Sequence, residues 1–165
     1  MPDYRFAEMK EDYLDDVLKI YSHYVLNTTA SFHTRQPTRE EMRELVFFEN
    51  DRYKTFVLLD GQELCGYVFL AQHKKREAYD ATAEVSVYLK PCHIGKGLGS
   101  LCLRHIEAYA LTRNLHVLIA TICGQNEASL GLFTSNGYEK CAHYKEVGEK
   151  FGQWLDIVAC QKILC

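Results

Sequence analysis

The stretch Val85-Ser86-Val87-Tyr88-Leu89-Lys90-Pro91-Cys92-His93-Ile94-Gly95-Lys96-Gly97-Leu98-Gly99-Ser100 constrains the fold more than any other segment of this chain. Val85, Val87 and Leu89 alternate with Glu84, Ser86 and Tyr88, which predicts a strand over Ala83–Leu89. Alternate glycines follow, and then a stripe of Leu98, Leu101, Cys102, His105, Ile106 and Tyr109 predicts a helix over Gly97–Arg113. A helix that starts from a glycine-rich turn offers unpaired backbone N–H groups at the positive end of its dipole. Glycine also lets a ligand come close to that backbone. Such a turn can cradle a pyrophosphate. It is no Walker A loop, because the Gly-Lys-Ser/Thr ending is absent, and it is no dinucleotide fingerprint, because Ser100 stands where the third glycine would fall. Taken alone, it also fits a tight connection with no ligand.

The rest of the chain reads as one domain over residues 1–165. Tyr4–Met9 alternates as a first strand, and Leu14, Val17, Leu18, Tyr21 and Val25 put an apolar stripe on a helix over Lys10–Asn27. Thr38 with Glu41 forms a capping box and opens a second helix, with Met42, Leu45, Val46 and Phe48 on its apolar side. Tyr53–Leu59 and Leu64–Ala71 read as strands joined by the hairpin signal Asp60-Gly61. A polar, basic connection, His73-Lys74-Lys75-Arg76, leads to the central strand. Past the glycine-rich helix come a strand at Leu115–Ile122, a helix at Asn126–Asn136 stopped by Gly137, and closing strands at Tyr138–Val147 and Trp154–Ile163. The order βααβββαβαββ belongs to a mixed α/β layer architecture.

Charge and composition exclude several function classes. Lys+Arg 19 against Asp+Glu 22 leaves a net charge of −3, so no nucleic-acid partner is expected, though a local basic patch stays open. No run approaches the roughly 18 apolar residues of a membrane helix. Met1-Pro2-Asp3-Tyr4-Arg5 carries no apolar signal core, so a cytoplasmic chain without a membrane partner is expected. Cys65, Cys92, Cys102, Cys123, Cys141, Cys160 and Cys165 show no Cys-x-x-Cys spacing, and no His-Glu-x-x-His occurs. No metal is expected, and most of the thiols read as reduced and buried, with Cys160 and Cys165 the candidates for solvent access.

More specific segments flank the glycine turn. These are Asn27-Thr28-Thr29-Ala30-Ser31-Phe32, Glu84-Val85-Ser86-Val87-Tyr88, Asn126-Glu127-Ala128-Ser129, Asn136-Gly137-Tyr138 and Glu146-Val147-Gly148-Glu149-Lys150-Phe151-Gly152-Gln153-Trp154-Leu155-Asp156. Over about Tyr4 to Leu164 the chain resembles the GNAT N-acetyltransferase superfamily, in its phosphinothricin (glufosinate) and methionine sulfoximine acetyltransferase branch. That resemblance implies a central, mostly antiparallel, twisted sheet of about seven strands with four helices. It implies acetyl-CoA as cosubstrate, no metal, a small-molecule amine as acceptor, and a homodimer.

Site residues follow from the same resemblance. Val87, Tyr88 and Leu89 would bind the pantetheine arm through backbone groups, as an added strand does. The strand at Leu115 would splay from them to open a V-shaped slot. Ile94, Gly95, Lys96, Gly97, Leu98, Gly99 and Ser100 would hold the pyrophosphate, although the superfamily prefers Arg or Gln at the position of Ile94. Asn126 would reach the cofactor, or serve as a helix N-cap. Glu84 would be the general base that takes a proton from the acceptor ammonium, and a backbone N–H near Val87 would hold the oxyanion. Lys74, Arg76 and Tyr79 would meet the acceptor's acidic group, with Phe32 as an apolar wall. Lys150 would serve the substrate or a dimer contact, and Trp154 the core or an interface. Phe133 departs from the pattern, since many superfamily members carry there a Tyr that protonates the leaving thiolate, and this branch often a His. Water or another Tyr would replace it, or the thiolate would leave unaided, which an ordinary thiol pKa near 8.5 tolerates. Two alternatives stay open: a non-catalytic acyl-CoA-binding regulatory domain, and acetylation of another amine such as a polyamine or a protein N-terminus. The Lys74/Arg76 pair argues against a polyamine.

Overall fold

Near-continuous apolar runs, Phe56–Leu59 and Leu64–Leu70, bury the centre of the sheet on both faces. The computed structural model describes all 165 residues. Its elements are β1 (Tyr4–Glu8), α1 (Leu14–Asn27), α2 (Arg39–Val46), β2 (Thr55–Asp60), β3 (Glu63–Gln72), β4 (Thr82–Leu89), α3 (Leu98–Thr112), β5 (Val117–Cys123), α4 (Glu127–Ser135), β6 (Glu139–Lys150) and β7 (Gln153–Ile163). The sheet has seven strands in the order β1-β2-β3-β4-β5-β7-β6, and only β4 and β5 run parallel. The sequence order and the expected mixed α/β fold are both realised.

Two cores result. Val57, Leu59, Leu64 and Tyr67 point toward α1 and α2, joining Leu14, Val17, Ile20, Val25, Met42 and Val46. Leu58, Cys65, Val68, Leu70, Ala83 and Val85 point the other way, onto Leu98, Cys102, Leu103, Ile106 and Ala110 of α3. The capping box at Thr38 forms in both directions, with Glu41 N–H donating to the Thr38 hydroxyl and the Thr38 N–H to the Glu41 carboxylate.

Several boundaries move. Lys10, Glu11 and Asp12 have no apolar side chain for the stripe, so Glu11–Tyr13 forms a 3-10 turn and α1 begins at Leu14. Phe47 is extended and ends α2, so Phe48 packs on the α3-side core from outside the helix. The left-handed Asn114 turns the chain before β5. The closing strands are longer than expected because Phe151 and Gly152, both at positive φ, make a tight hairpin turn that alternation does not announce. Two expectations are corrected. Cys160 is fully buried, because its side of β7 faces the α3 core, while Cys92, Cys141 and Cys165 are the exposed thiols. Trp154 is no core residue, since 63% of it is exposed on the β6–β7 arm.

A polar cluster locks the end of α3 to the sheet. The Glu107 carboxylate accepts from the Tyr138 hydroxyl at 2.9 Å and from Lys162 Nζ at 2.8 Å, and Lys162 also donates to the Asn136 carbonyl at 2.9 Å. Burial, with the carboxylate beside it, pushes the Tyr138 phenol far up. Glu107→Ala leaves the Tyr138 hydroxyl without its acceptor and Lys162 with only the Asn136 carbonyl, and is expected to cost about 2 kcal/mol, read as a lower urea midpoint at unchanged m-value.

Candidate active site

The site is created where β4 and β5 part. They pair at Thr82–Val117, Ala83–Leu118 and Glu84–Ile119, and no further. Beyond Glu84 the strands splay, and a cavity of about 390 Å³ opens between Val85–Leu89 on one side and Ala120–Cys123 on the other. Antiparallel pairing with β3 sets which backbone groups face it. Lys90 N–H donates to the Cys65 carbonyl, and in that register Tyr88 pairs with Tyr67. By alternation, the backbones of Val87 and Leu89 face the gap while that of Tyr88 is engaged with β3. Val87 and Leu89 thus offer backbone groups to an extended ligand, whereas Tyr88 can offer only its side chain. The Leu89 carbonyl is bound by the Tyr24 hydroxyl.

The cavity ends at the glycine turn. Ile94, Gly95, Gly97, Leu98, Gly99 and Ser100 line it, while Lys96 is exposed beside it. Gly95 and Gly97 have φ of +83° and +77°, and a Cβ added at either would meet nothing within 4 Å. This turn is therefore an open cradle in the left-handed region, placed against the N-terminus of α3. It fits a pyrophosphate. The turn is held from behind by His93, whose Nε2 lies 3.1 Å from the Glu63 carboxylate. That hydrogen bond, helped by Lys90, keeps the Glu63 carboxyl below its ordinary range. Glu63, Cys92 and His93 bring metal-type donor atoms within 4.8 Å of one another. The ammonium groups of Lys90 and Lys96 already face that carboxylate and imidazole, at 3.7 and 3.5 Å. Asn126 caps α4 through its Oδ1, which accepts from Ser129 N–H at 3.1 Å, and it also lines the cavity. Its amide nitrogen makes no bond within the chain, so the cap leaves that donor free at the cavity wall. Phe133 is buried, packs edge-on against Tyr138 and lines the cavity.

A second cavity, about 450 Å³, lies on the α1 side and is lined by Tyr21, Ala30, Ser31, Phe32, His33, Tyr88, Thr121, Cys123 and Ile157. Ala30, Tyr88, Thr121 and Cys123 border both cavities and mark where they meet. Burial pushes the Tyr88 phenol far up, so it stays protonated and can only donate or accept hydrogen bonds as a neutral hydroxyl. The 28–38 loop forms the wall. Thr28 bonds the Tyr24 carbonyl at 2.8 Å and takes the Ala30 N–H at 3.1 Å, which turns the chain out of α1. Ser31 Oγ and the imidazole of His33 both bond the Tyr21 hydroxyl. Lys150 anchors the same loop from the β6–β7 arm, since its ammonium is buried and donates to the Ser31 carbonyl at 2.6 Å. Burial lowers its pKa. Lys150 is thus committed to the loop and does not line either cavity.

Phe32 rests on Gly148, where an added Cβ would come within 2.5 Å of its ring. A bulge between Tyr144 and Gly148 sets this contact, and Asp156 fixes the bulge by accepting Glu146 N–H and His143 Nε2, each at 2.8 Å. Gly148→Ala is expected to push Phe32 off the wall and raise KM for the acceptor several-fold while leaving KM for the acyl donor unchanged. Initial rates with either substrate varied separately check this.

Glu84 stands at the last paired rung, on the same side of β4 as Ser86 and Tyr88, half-buried. Its Oε2 lies 2.9 Å from His73 Nδ1. Tyr79 packs on that imidazole, and Arg76 lies over the Tyr79 ring at 5.6 Å. Lys74 and Arg76 are exposed, engage in no ion pair, and with Tyr79 line neither cavity. Sequence reading missed His73, His33 and Tyr21. His73 sat in plain view at the head of the basic connection, but nothing in its spacing tied it to Glu84.

Comparison with known proteins decides the family, for residues 8–159 match the model described as "Acetyltransferase (GNAT) domain". The chain belongs to the GNAT acetyltransferases. It is an N-acetyltransferase by that membership. It is 33% identical over 151 residues to a phosphinothricin N-acetyltransferase of Streptomyces coelicolor, covering 89% of this chain and 88% of that one. It is 34% identical over 148 residues to an L-methionine sulfoximine/L-methionine sulfone acetyltransferase of Salmonella typhimurium, covering 88% and 85%. Among solved structures, a GNAT superfamily phosphinothricin acetyltransferase of Sinorhizobium meliloti in complex with AcCoA superposes with a TM-score of 0.92 at 28% identity, covering 98% of this chain and 88% of that one. This GNAT chain thus shares its fold with a relative solved in complex with AcCoA.

Proposed function

We propose that this enzyme transfers the acetyl group of acetyl-CoA directly to the α-amino group of a small amino acid of the phosphinothricin or methionine sulfoximine/sulfone type, with Glu84 as general base. The observation that carries this reading is the meeting of two cavities beside Glu84's strand, one ending in a pyrophosphate cradle and the other large enough for an amino acid. Acetyl-CoA, when bound, supplies a thioester-activated acetyl group. Its diphosphate would be held by backbone N–H groups of Gly95, Gly97, Leu98, Gly99 and Ser100, with Ile94 and Lys96 flanking, and its pantetheine arm by Val87, Leu89 and Asn126. Because Ala30, Tyr88, Thr121 and Cys123 border both cavities, an amine in one and the thioester in the other would be neighbours, which suits direct transfer without a covalent relay.

The acceptor enters as an ammonium and must lose a proton before it can attack. Glu84 takes that proton. Phe32 would face the acceptor's side chain from the second cavity, and the exposed Lys74 and Arg76, neither in an ion pair, would attract its carboxylate or phosphinate from outside that cavity, with Tyr79 beneath Arg76. Lys150 acts at one remove, by holding Ser31. Exposed Tyr144, Val147, Phe151 and Trp154 give the β6–β7 arm an apolar face suited to a second copy of the chain, and light scattering on a sizing column is expected to show a dimer. Seven free thiols suit a reducing cytoplasm.

The test is thiol release from acetyl-CoA against a panel of phosphinothricin, methionine sulfoximine, methionine sulfone, ordinary amino acids and a polyamine. Turnover with the first three supports the reading. Turnover with the polyamine alone discards the acceptor site. Acetyl-CoA binding without turnover on any amine points to a regulatory domain instead.

A further inference from the structure

We propose that His73 is a positioning residue for Glu84, a role that rests on the reading of Glu84 as the base. Strand register brings the two together. Gln72 pairs with Ala83 and Ala71 with Glu84, so His73 is the first residue past the end of β3 and its ring folds back beside the carboxylate. The contact is sheltered, with 19% of the imidazole side chain and 35% of the carboxylate side chain exposed. Tyr79, on the 3-10 turn Glu77–Tyr79, packs edge-on against the imidazole with centroids 5.5 Å apart. Arg76 lies over the far ring of that pair. The imidazole is therefore held by packing on one side and by the carboxylate on the other.

A carboxylate can only accept, so the His73 nitrogen at 2.9 Å is the donor and Nδ1 carries its hydrogen. That occupies Oε2. Glu84 makes no other hydrogen bond within the chain, which leaves Oε1 with its lone pairs free. In the reaction an N–H bond of the acceptor ammonium breaks and an O–H bond forms at Oε1. The freed nitrogen pair then forms the C–N bond as the C–S bond breaks; the nitrogen's second proton passes to the departing thiolate, giving the thiol and a neutral amide, and Glu84 returns its proton to solvent. Without the Nδ1–H donor, the Glu84 side chain divides its time among rotamers, and only some of them present Oε1 to the amine. Oriented groups lose rate steeply when displaced.

His73→Phe keeps a ring against Tyr79 and removes the donor. His73→Asn keeps a short side-chain N–H donor and removes the ring. The expected result is a fall in kcat of about tenfold or more in His73→Phe. KM for acetyl-CoA should stay within about twofold, and His73→Asn should recover most of the loss. In a Glu84→Gln background, His73→Phe should cost nothing further, because the residue it positions is already disabled. Wild-type kcat in His73→Phe beside an inactive Glu84→Gln overturns the positioning role and leaves the base intact. Equal loss in His73→Phe and His73→Asn also overturns it, by pointing to packing. Wild-type kcat in Glu84→Gln overturns the base and the positioning role together.

Discussion

Glu84→Gln is expected to lower kcat by about 10²–10⁴-fold while leaving the fold and KM for acetyl-CoA in place. The amide is nearly the same shape, and its carbonyl oxygen can still accept from His73. Glu84 does not line the donor cavity, so acetyl-CoA binding has no reason to change. The loss should shrink as pH rises. Below the acceptor amine's pKa the enzyme must strip a proton, and the variant cannot do so. Above it, neutral amine arrives from solution and the missing carboxylate matters less. The ratio of variant to wild-type kcat/KM therefore climbs with pH through the amine's own titration. A flat ratio across that range would remove Glu84 from proton transfer.

Gly97→Val should act on the donor instead. At a φ of +77° a Cβ would meet no neighbour, so the whole penalty is in the backbone. Holding an L residue there costs about 1–2 kcal/mol, and more for a β-branched one. The turn relieves this by rotating its N–H groups away from the cradle. Acetyl-CoA affinity is expected to fall about tenfold or more, measured by calorimetry. Gly131→Ala makes a useful control, since this helical glycine of α4 has open space around it. It should bind acetyl-CoA normally and gain about 0.5–1 kcal/mol of stability. Equal affinity in Gly97→Val and Gly131→Ala would separate the turn from the pyrophosphate.

Much of this fold was legible because its signals are local. Thr38 and Glu41 lie three residues apart and speak for one helix start, and Gly137 at positive φ does the same for a helix end. Val85, Val87 and Leu89 announce a strand buried on the α3 side. The donor side of the site is local too, since a strand, a turn and a helix start follow one another in sequence. The acceptor side is not. Lys150 reads as a substrate or dimer residue, yet it is buried and holds Ser31 of the 28–38 loop. Trp154 reads as a core or interface residue, and its exposure on the β6–β7 arm removes the first of these. His73 reads as one more charge in a basic run until β3 and β4 are laid in register. Each of these depends on which distant segment arrives, and periodicity says nothing about that.

The Lys150–Ser31 bond also sets an order of events. It joins residues separated by 119 positions, whereas the donor cavity is built largely from the stretch between Val85 and Phe133. Loop-closure entropy favours the shorter-range assembly first. As the chain emerges from synthesis, β4 and the glycine cradle can form before β6 and β7 exist, whereas Ala120–Cys123 of β5 pair only with β7. The acceptor wall must wait for the last hairpin to dock. A bound acyl donor would therefore favour docking of the last fifth of the chain, since β7 carries the β5 wall of its cavity.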